Sequence, residues 1–463
     1  MRRFPIALLV LLPLIFAAVC RAQGYGYGGG AYSIERSDED YSYLKDPSER
    51  SDPFDPIKYI PLGGNPDDYL SLGGQVRNRF DYFNENEFGA GPRDDGFDLT
   101  RMLANADLHL GPDFRAFVQL DSSLEYQRAG GPRPGDAQDI DFQQGFVDLT
   151  LPFNPSTSMV VRVGRQELIY GAQRLISPND WRNTRLSFDG AKVSLYLPND
   201  TLDVFATRPV VVNKTRLDSD DDNTYFYGLY NVTELPKVLP GANSKLDLYL
   251  LDLDQYKSAE YAESAETYTL GTRFHTTPGN WDFDVEPDWQ FGRNDSRAIE
   301  AYSIATEGGY TFASCPMTPR TSLGFDLSSG DPNPARRFNQ LFPPQYIYLG
   351  HMYLFGRENL IDLHPGVTLN PLKNVTITAD EHIFWRQNTN DAVYNLLGEV
   401  VQASDGSHSA YMGNEADFAI NWQIDRHLSM YAGYAHFFTG TFFEETGPHQ
   451  DEDFGYAAVT FTF

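Results

Sequence analysis

The sequence predicts an all-β fold, a transmembrane antiparallel barrel of about 16–18 strands. Alternation carries most of that reading. In NWDFDVEPDWQFGR, residues 280–293, Trp281, Phe283, Val285, Trp289 and Phe291 share one parity, while Asp282, Asp284, Glu286, Asp288 and Gln290 hold the other. Period two in an extended chain puts the apolar set on one face and the carboxylates on the opposite face. Hydropathy supplies a second constraint. After the first 22 residues no apolar run approaches the ~18 residues of a membrane helix, and no amphipathic helix of three turns is visible, so strands must make any crossing. The ending FGYAAVTFTF adds a third, with Ala457, Val459, Phe461 and Phe463 on one parity. A strand in water has little reason to carry an apolar stripe to its final residue.

The chain opens with MRRFPIALLVLLPLIFAAVCRAQ. Arg2 and Arg3, the apolar run 4–19 and a cleavage position after Ala22 read as a signal peptide, residues 1–22. Pro5 and Pro13 argue against an anchoring helix, and AAVC lacks the Leu expected three residues before a lipidated Cys. The protein is therefore expected to be exported. With Cys20 removed, Cys315 is a lone thiol and no disulfide framework holds the fold. Residues 23–56 pass from GYGYGGGAY into SIERSDEDYSYLKDPSERSDPFDP, a Gly/Tyr tract and a mixed-charge tract that bury too little apolar surface to fold alone. They are expected to form a flexible tail, with the barrel occupying 57–463.

From about residue 69 the texture is uniform: segments of roughly ten residues alternate between Gly, Pro, Asn and Asp clusters. YLSLGGQVRNRFDYF sets Leu70, Leu72, Val76, Phe80 and Tyr82 against Gln75, Arg77, Arg79 and Asp81. LTRMLANADLHL, FRAFVQLDSSLEY and KNVTITADEHIFW divide in the same way. Further strands are predicted near 158–168, 187–197, 201–210, 245–253, 266–276, 299–312, 321–328, 359–369, 410–424, 428–438 and 454–463. Aromatics make up 14 % of the chain and gather at segment ends, as DYF, YFY and FFTGTFF do, where a barrel places its interfacial girdles. A propeller or β-helix would show a repeat of roughly 20–50 residues, and none is found.

The formal net charge is −28, and losing Arg2, Arg3 and Arg21 with the leader leaves the mature chain near −31. Such a balance excludes nucleic acid as a partner. HExxH, CxxC and P-loop patterns do not occur, and His109, His275, His364 and His382 lie on separate strands, so we expect no catalytic residue, no metal and no cofactor. RLDSDDDNTY, residues 216–225, looks like a calcium loop, but Asn223 stands where the tight turn wants Gly and Leu229 where the twelfth position wants Glu. It is expected to be a solvated extracellular loop.

Three passages resemble the alginate export family of outer-membrane barrels: residues 55–83, 161–193 and 337–398. GRQE, WRN and SFDG within the second are the most specific elements. The resemblance spans about residues 55–463 and implies a monomeric barrel of 18 strands that passes an anionic polysaccharide. Outer-membrane lipid, a carbohydrate or small hydrophilic solute, and periplasmic secretion partners are the partners it implies. A general diffusion porin is the alternative within transport, and a barrel enzyme or adhesion scaffold the alternative outside it.

A carboxylate-bearing sugar suits Arg, whose planar fork meets it bidentately. By parity Arg77, Arg79, Arg101, Arg115, Arg162 and Lys192 point inward, and Arg165, Arg182 and Arg185 lie in the family-like passage. These form the candidate basic path. Asp81, Asp189, Asp282, Asp284, Glu286 and Asp288 form the candidate acidic one, giving a lumen with a basic arc facing an acidic arc. Cross-strand ladders of such residues also serve as wall scaffolding.

Overall fold

Alternating segments joined in sequence pair with their neighbours and close on themselves. In the computed structural model, which describes residues 32–133, 135–236, 238, 242–258 and 263–463, eighteen long strands form a closed antiparallel barrel. They are β1 (Tyr69–Asn84), β2 (Asp94–Leu110), β3 (Phe114–Tyr126), β4 (Gln138–Asn154), β5 (Thr157–Gln166), β6 (Phe188–Tyr196), β7 (Asp200–Val211), β8 (Thr224–Glu234) and β9 (Ala242–Gln255), followed by β10 (Ala265–Pro278), β11 (Trp281–Asn294), β12 (Arg297–Thr311), β13 (Arg320–Ser328), β14 (Leu360–Leu372), β15 (Val375–Arg386), β16 (Tyr411–Gln423), β17 (Leu428–Thr439) and β18 (Glu452–Thr462). Each pairs with the next, and β1 pairs with β18 from Gln75↔Thr462 to Asn84↔Asp453. Closure removes the free edges that an open sheet would expose. The predicted signal peptide, residues 1–22, and the Gly/Tyr tract to residue 31 lie outside the described residues.

The two ends differ. Turns 111–113, 155–156, 279–280 and 373–374 are short, whereas 167–187, 329–359 and 387–410 at the opposite end are long. Outer-membrane barrels keep short turns on the periplasmic side and long loops outside. Cys315 is exposed in the short-end turn 312–319, and residues 216–223 belong to a long-end loop where Asp220 and Asp222 pair with Arg208.

Trp281, Phe283, Val285, Trp289 and Phe291 are exposed on the outer face of β11, whereas Glu286, Asp288 and Gln290 are buried inside. Val285→Arg should cost about 2–4 kcal/mol at the bilayer midplane. Reversible urea unfolding in lipid vesicles measures this, and a change near zero would contradict the lipid-facing assignment of β11.

Two strands, β4 and β8, escaped the alternation pattern, each for a physical reason. In β4 the register shifts, Gln119↔Gln144 being followed by Leu120↔Phe142. Outward Ile140 and Phe142 therefore give way to Val147, Leu149, Leu151 and Phe153 on the other parity, as a bulge requires. In β8 the inward residues Phe226 and Tyr230 are themselves aromatic and buried, so hydropathy does not alternate.

The expected flexible tail, 23–56, is corrected for its described part. Residues 32–58 form 3₁₀ turns at Arg36–Asp38, Ser42–Lys45 and Pro47–Glu49 and a helical turn at Asp55–Lys58. They enter the short-turn end of the bore, where Glu35, Arg36, Ser37, Leu44 and Lys58 are buried. The segment has too little apolar surface to fold alone, and it orders against the barrel wall instead. Gly73 of β1 leaves room for it, since a Cβ there would lie 2.8 Å from Lys58 Nζ.

Candidate functional site: an arginine-lined lumen

Parity sends Arg77 and Arg79 of β1 and Arg101 of β2 into the bore, and register sets Arg77 opposite Arg101. Adjacent guanidinium groups repel, so they need acceptors. Loop 167–187 supplies them by folding into the barrel. Arg77 donates to the carbonyls of Asp180 at 2.7 Å and Arg182 at 2.9 Å. Arg79 donates to the Trp181 carbonyl at 2.6 Å and to Asp81 at 2.8 Å. Arg101 reaches the Asp180 carboxylate at 2.7 Å. Trp181, 1 % exposed, lies between the Arg79 guanidinium, 3.7 Å from its ring, and Tyr346 of loop 329–359, stacked at 4.2 Å.

The other basic candidates are also engaged. Arg115 pairs with Asp107 at 2.7 Å and donates to the Ser37 carbonyl. Arg162 pairs with Asp148, and Arg165 with Asp189, both at 2.8 Å. Arg185 pairs with Glu167 at 2.5 Å and donates to the Ile34 carbonyl at 3.0 Å. Lys192 lies 3.8 Å from Asp203. Arg182 lends its carbonyl while its side chain packs against Gly135 of the neighbouring loop.

The expected acidic arc is corrected. Asp282 pairs with Arg320 at 2.5 Å, Asp284 with Arg174 at 2.8 Å and with Arg273, and Glu286 with Arg174 at 2.7 Å. Asp288 accepts a hydrogen bond from Tyr249 at 2.7 Å. Bases and acids interleave along the wall because a buried carboxylate without a partner is costly. Sequence reading missed Arg174, Arg273 and Arg320, which do the neutralising.

Cations predominate on one surface. A solvent-connected cavity of about 60 Å³ lies between the 32–34 stretch, loop 167–187 and the wall, lined by Arg77, Arg101, Arg185, Arg426 and His427 with Asp180 as its one carboxylate among the described residues. Burial pushes the Asp180 carboxyl upward, but Arg101, Arg185 and Arg77 outweigh it and hold the group below its ordinary value. Cations thus predominate on the cavity surface and Asp180 stays ionised, while Glu167 behind Arg185 and Asp52 beside Arg426 and His427 offset part of the charge. The guanidinium edges lining the cavity suit a carboxylate-bearing solute. Beside it, burial pushes the Lys58 ammonium down to about 8, with Arg36 adding to the effect. The described side chains that converge as metal ligands would are Asp362, His364 and His382.

A family model described as alginate export matches residues 68–457. No curated protein matches the chain. Among solved structures, Pseudomonas aeruginosa OccK9 (OpdG) aligns with TM-score 0.58 and 12 % identity, covering 85 % of this chain and 98 % of its own. P. aeruginosa OccK8 (OprE) gives 0.56 and 13 %, with the same coverage. P. aeruginosa OpdK, solved with vanillate, gives 0.55 and 12 %, again covering 85 % and 98 %. At such identities these likenesses show the fold.

Proposed function

The chain belongs to the alginate export family and is an outer-membrane channel, and from that premise we propose that its cargo is an anionic polysaccharide, threaded as a chain of carboxylate-bearing sugars. The supporting observation is the cationic cavity of Arg77, Arg101, Arg185 and Arg426 at the short-turn end. A channel needs groups that exchange for water around the solute without holding it long. Guanidinium groups already anchored to loop carbonyls meet that need, because they are fixed in place and only partly spent. Arg77 has carbonyl hydrogen-bond partners and, among the described residues, no salt bridge, so its charge is the least cancelled of the four.

One observation favours small carboxylates as a second reading. Residues 32–58 and the loops 167–187 and 329–359 all enter the bore and narrow it, and OpdK was solved with vanillate. Both readings use the same cationic surface and differ in the length of solute admitted. Removal or displacement of the N-terminal segment by periplasmic secretion partners would reconcile the narrow bore with a polymer.

Reversal potentials across planar bilayers under a salt gradient test the shared premise. The channel is expected to prefer anions, and Arg77→Gln with Arg101→Gln should carry the preference toward unity. Firm cation preference in the unaltered protein would overturn the uronate reading. Block of the current by oligouronates but not by small aromatic carboxylates selects the first cargo, and the reverse selects the second.

A further inference from the structure

Buried carboxylates gather on β14 and β16 without arginine or lysine to balance them. Asp362 of β14 and Glu415 of β16 are fully buried and Asp417 of β16 is 4 % exposed. Among the described residues none of the three makes a salt bridge to Lys or Arg; Asp362 and Asp417 meet only histidines. Elsewhere in this lumen buried acids such as Asp81, Asp107, Asp148, Glu167, Glu286 and Asp326 each have a guanidinium beside them. Burying several carboxylates without a cation is expensive, so the cluster calls for one.

The geometry supplies ligands for it. Asp362 and His364 are two residues apart on β14 and both face inward. The turn 373–374 brings β15 alongside with Leu363 opposite Ile383, which places His382 beside His364. Their rings lie 4.9 Å apart. Nδ1 of His364 is 2.8 Å and Nδ1 of His382 is 2.9 Å from the same Asp362 oxygen, Oδ2. One donor atom from each of the three residues falls within 4.8 Å of the others, and ligands of one tetrahedral zinc ion sit roughly 3–3.5 Å apart. Asp362 Oδ1 has no hydrogen-bond partner. Two glycines make room: a Cβ on Gly324 would overlap the His364 ring, and one on Gly366 would overlap the Asp380 carboxylate.

We propose that Asp362, His364 and His382 form a binding site for one divalent transition-metal ion of the zinc class. Two imidazole nitrogens and one carboxylate oxygen suit that class over calcium or magnesium, which take oxygen ligands. The fourth position opens on a cavity of about 20 Å³ lined by Glu307, Tyr348, His351 and Asp380, where a water completes the shell. Loop 329–359 covers the neighbouring carboxylates, with the His351 amide donating to Asp417 at 3.2 Å and the Met352 amide to Glu415 at 2.7 Å. Metal at this place would tie strands β14 and β15 together beneath that loop. The proposal does not depend on the cargo.

Calorimetric titration of Zn²⁺ into the untagged, chelator-stripped barrel in detergent tests it, with heat-modifiable migration on gels as the check of folding. One ion per chain should bind, and both His364→Gln and His382→Gln should weaken it at least tenfold. Co²⁺ should give the visible absorption of a tetrahedral site in the unaltered chain only. His436→Gln, at a histidine paired with Asp453, should leave binding unchanged. His364 is half-buried, so its variant answers the question should the His382 variant fail to fold. Absence of saturable binding, or equal affinity in the folded His364 variant, overturns the proposal.

Discussion

Removing residues 32–59 will raise the single-channel conductance several-fold in planar bilayers. The segment crosses the bore because polar groups on three sides hold it. Arg36, with its side chain 2 % exposed, donates to the carbonyl oxygen of Phe463 at 3.0 Å and lies against the Tyr32 ring at 4.7 Å. Gln144 of β4 donates to Glu35 at 2.8 Å, and Arg115 of β3 donates to the Ser37 carbonyl at 2.5 Å. Asp52 pairs with His427 at 2.7 Å beyond β16. Its apolar footing is small: Tyr41, Leu44 and Tyr59 against Tyr69, and Phe54 against Phe461 and Phe463. A segment held by charge and hydrogen bonds in a wet lumen is displaced more readily than one held by a core. Arg36→Ala should therefore act as a milder version, increasing the time spent in the high-conductance state, and high salt should do the same. Conductance unchanged by the deletion would place the limiting constriction in loops 167–187 and 329–359.

The order of that segment is invisible in its composition. Composition reports whether a stretch can bury enough surface by itself; it is silent on a prebuilt wall offering Arg115, Gln144 and Arg185 as partners. Strand-borne features were legible because they depend on period two alone, as the faces of β11 and the inward parity of Arg77, Arg79 and Arg101 do. More could have been drawn from the same rule. A two-residue turn at 279–280 sets Phe274 opposite Val285 and Gly271 opposite Asp288, which puts Arg273 on the inward parity among the acids of β11. Arg174 gave no such signal, since its path follows the packing of a long loop. Aromatic lumen residues such as Phe226 and Tyr230 hid β8 because they erase the contrast between faces that periodicity needs. The barrel's wall was thus open to inspection in the sequence, and the contents of its bore largely were not.

Those contents hinge on Arg79, and Arg79→Ala is expected to cost about 3–5 kcal/mol in reversible unfolding from lipid vesicles. The guanidinium donates through Nε and Nη2 to both oxygens of Asp81 at 2.8 and 2.9 Å, and Asp81 is 0 % exposed. Truncating the base strands a buried carboxylate, and that penalty dominates. Loss of the Trp181 carbonyl bond and of the cation–ring contact adds about 1–2 kcal/mol at most and frees the tip of loop 167–187. The two parts separate in a double-mutant cycle. Pairing Arg79→Ala with Asp81→Asn should recover most of the stability, because no lone charge remains, while current fluctuations from the loosened loop persist. Arg79→Lys should fail to restore a quiet channel, since an ammonium cannot span the two Asp81 oxygens and the Trp181 carbonyl in one plane. A loss under about 1 kcal/mol in the single variant, or no recovery in the double, would mean that water already solvates Asp81. The loop would then have to be held in the bore by the stacked rings of Trp181 and Tyr346 and by the carbonyl bonds from Arg77 and Arg101.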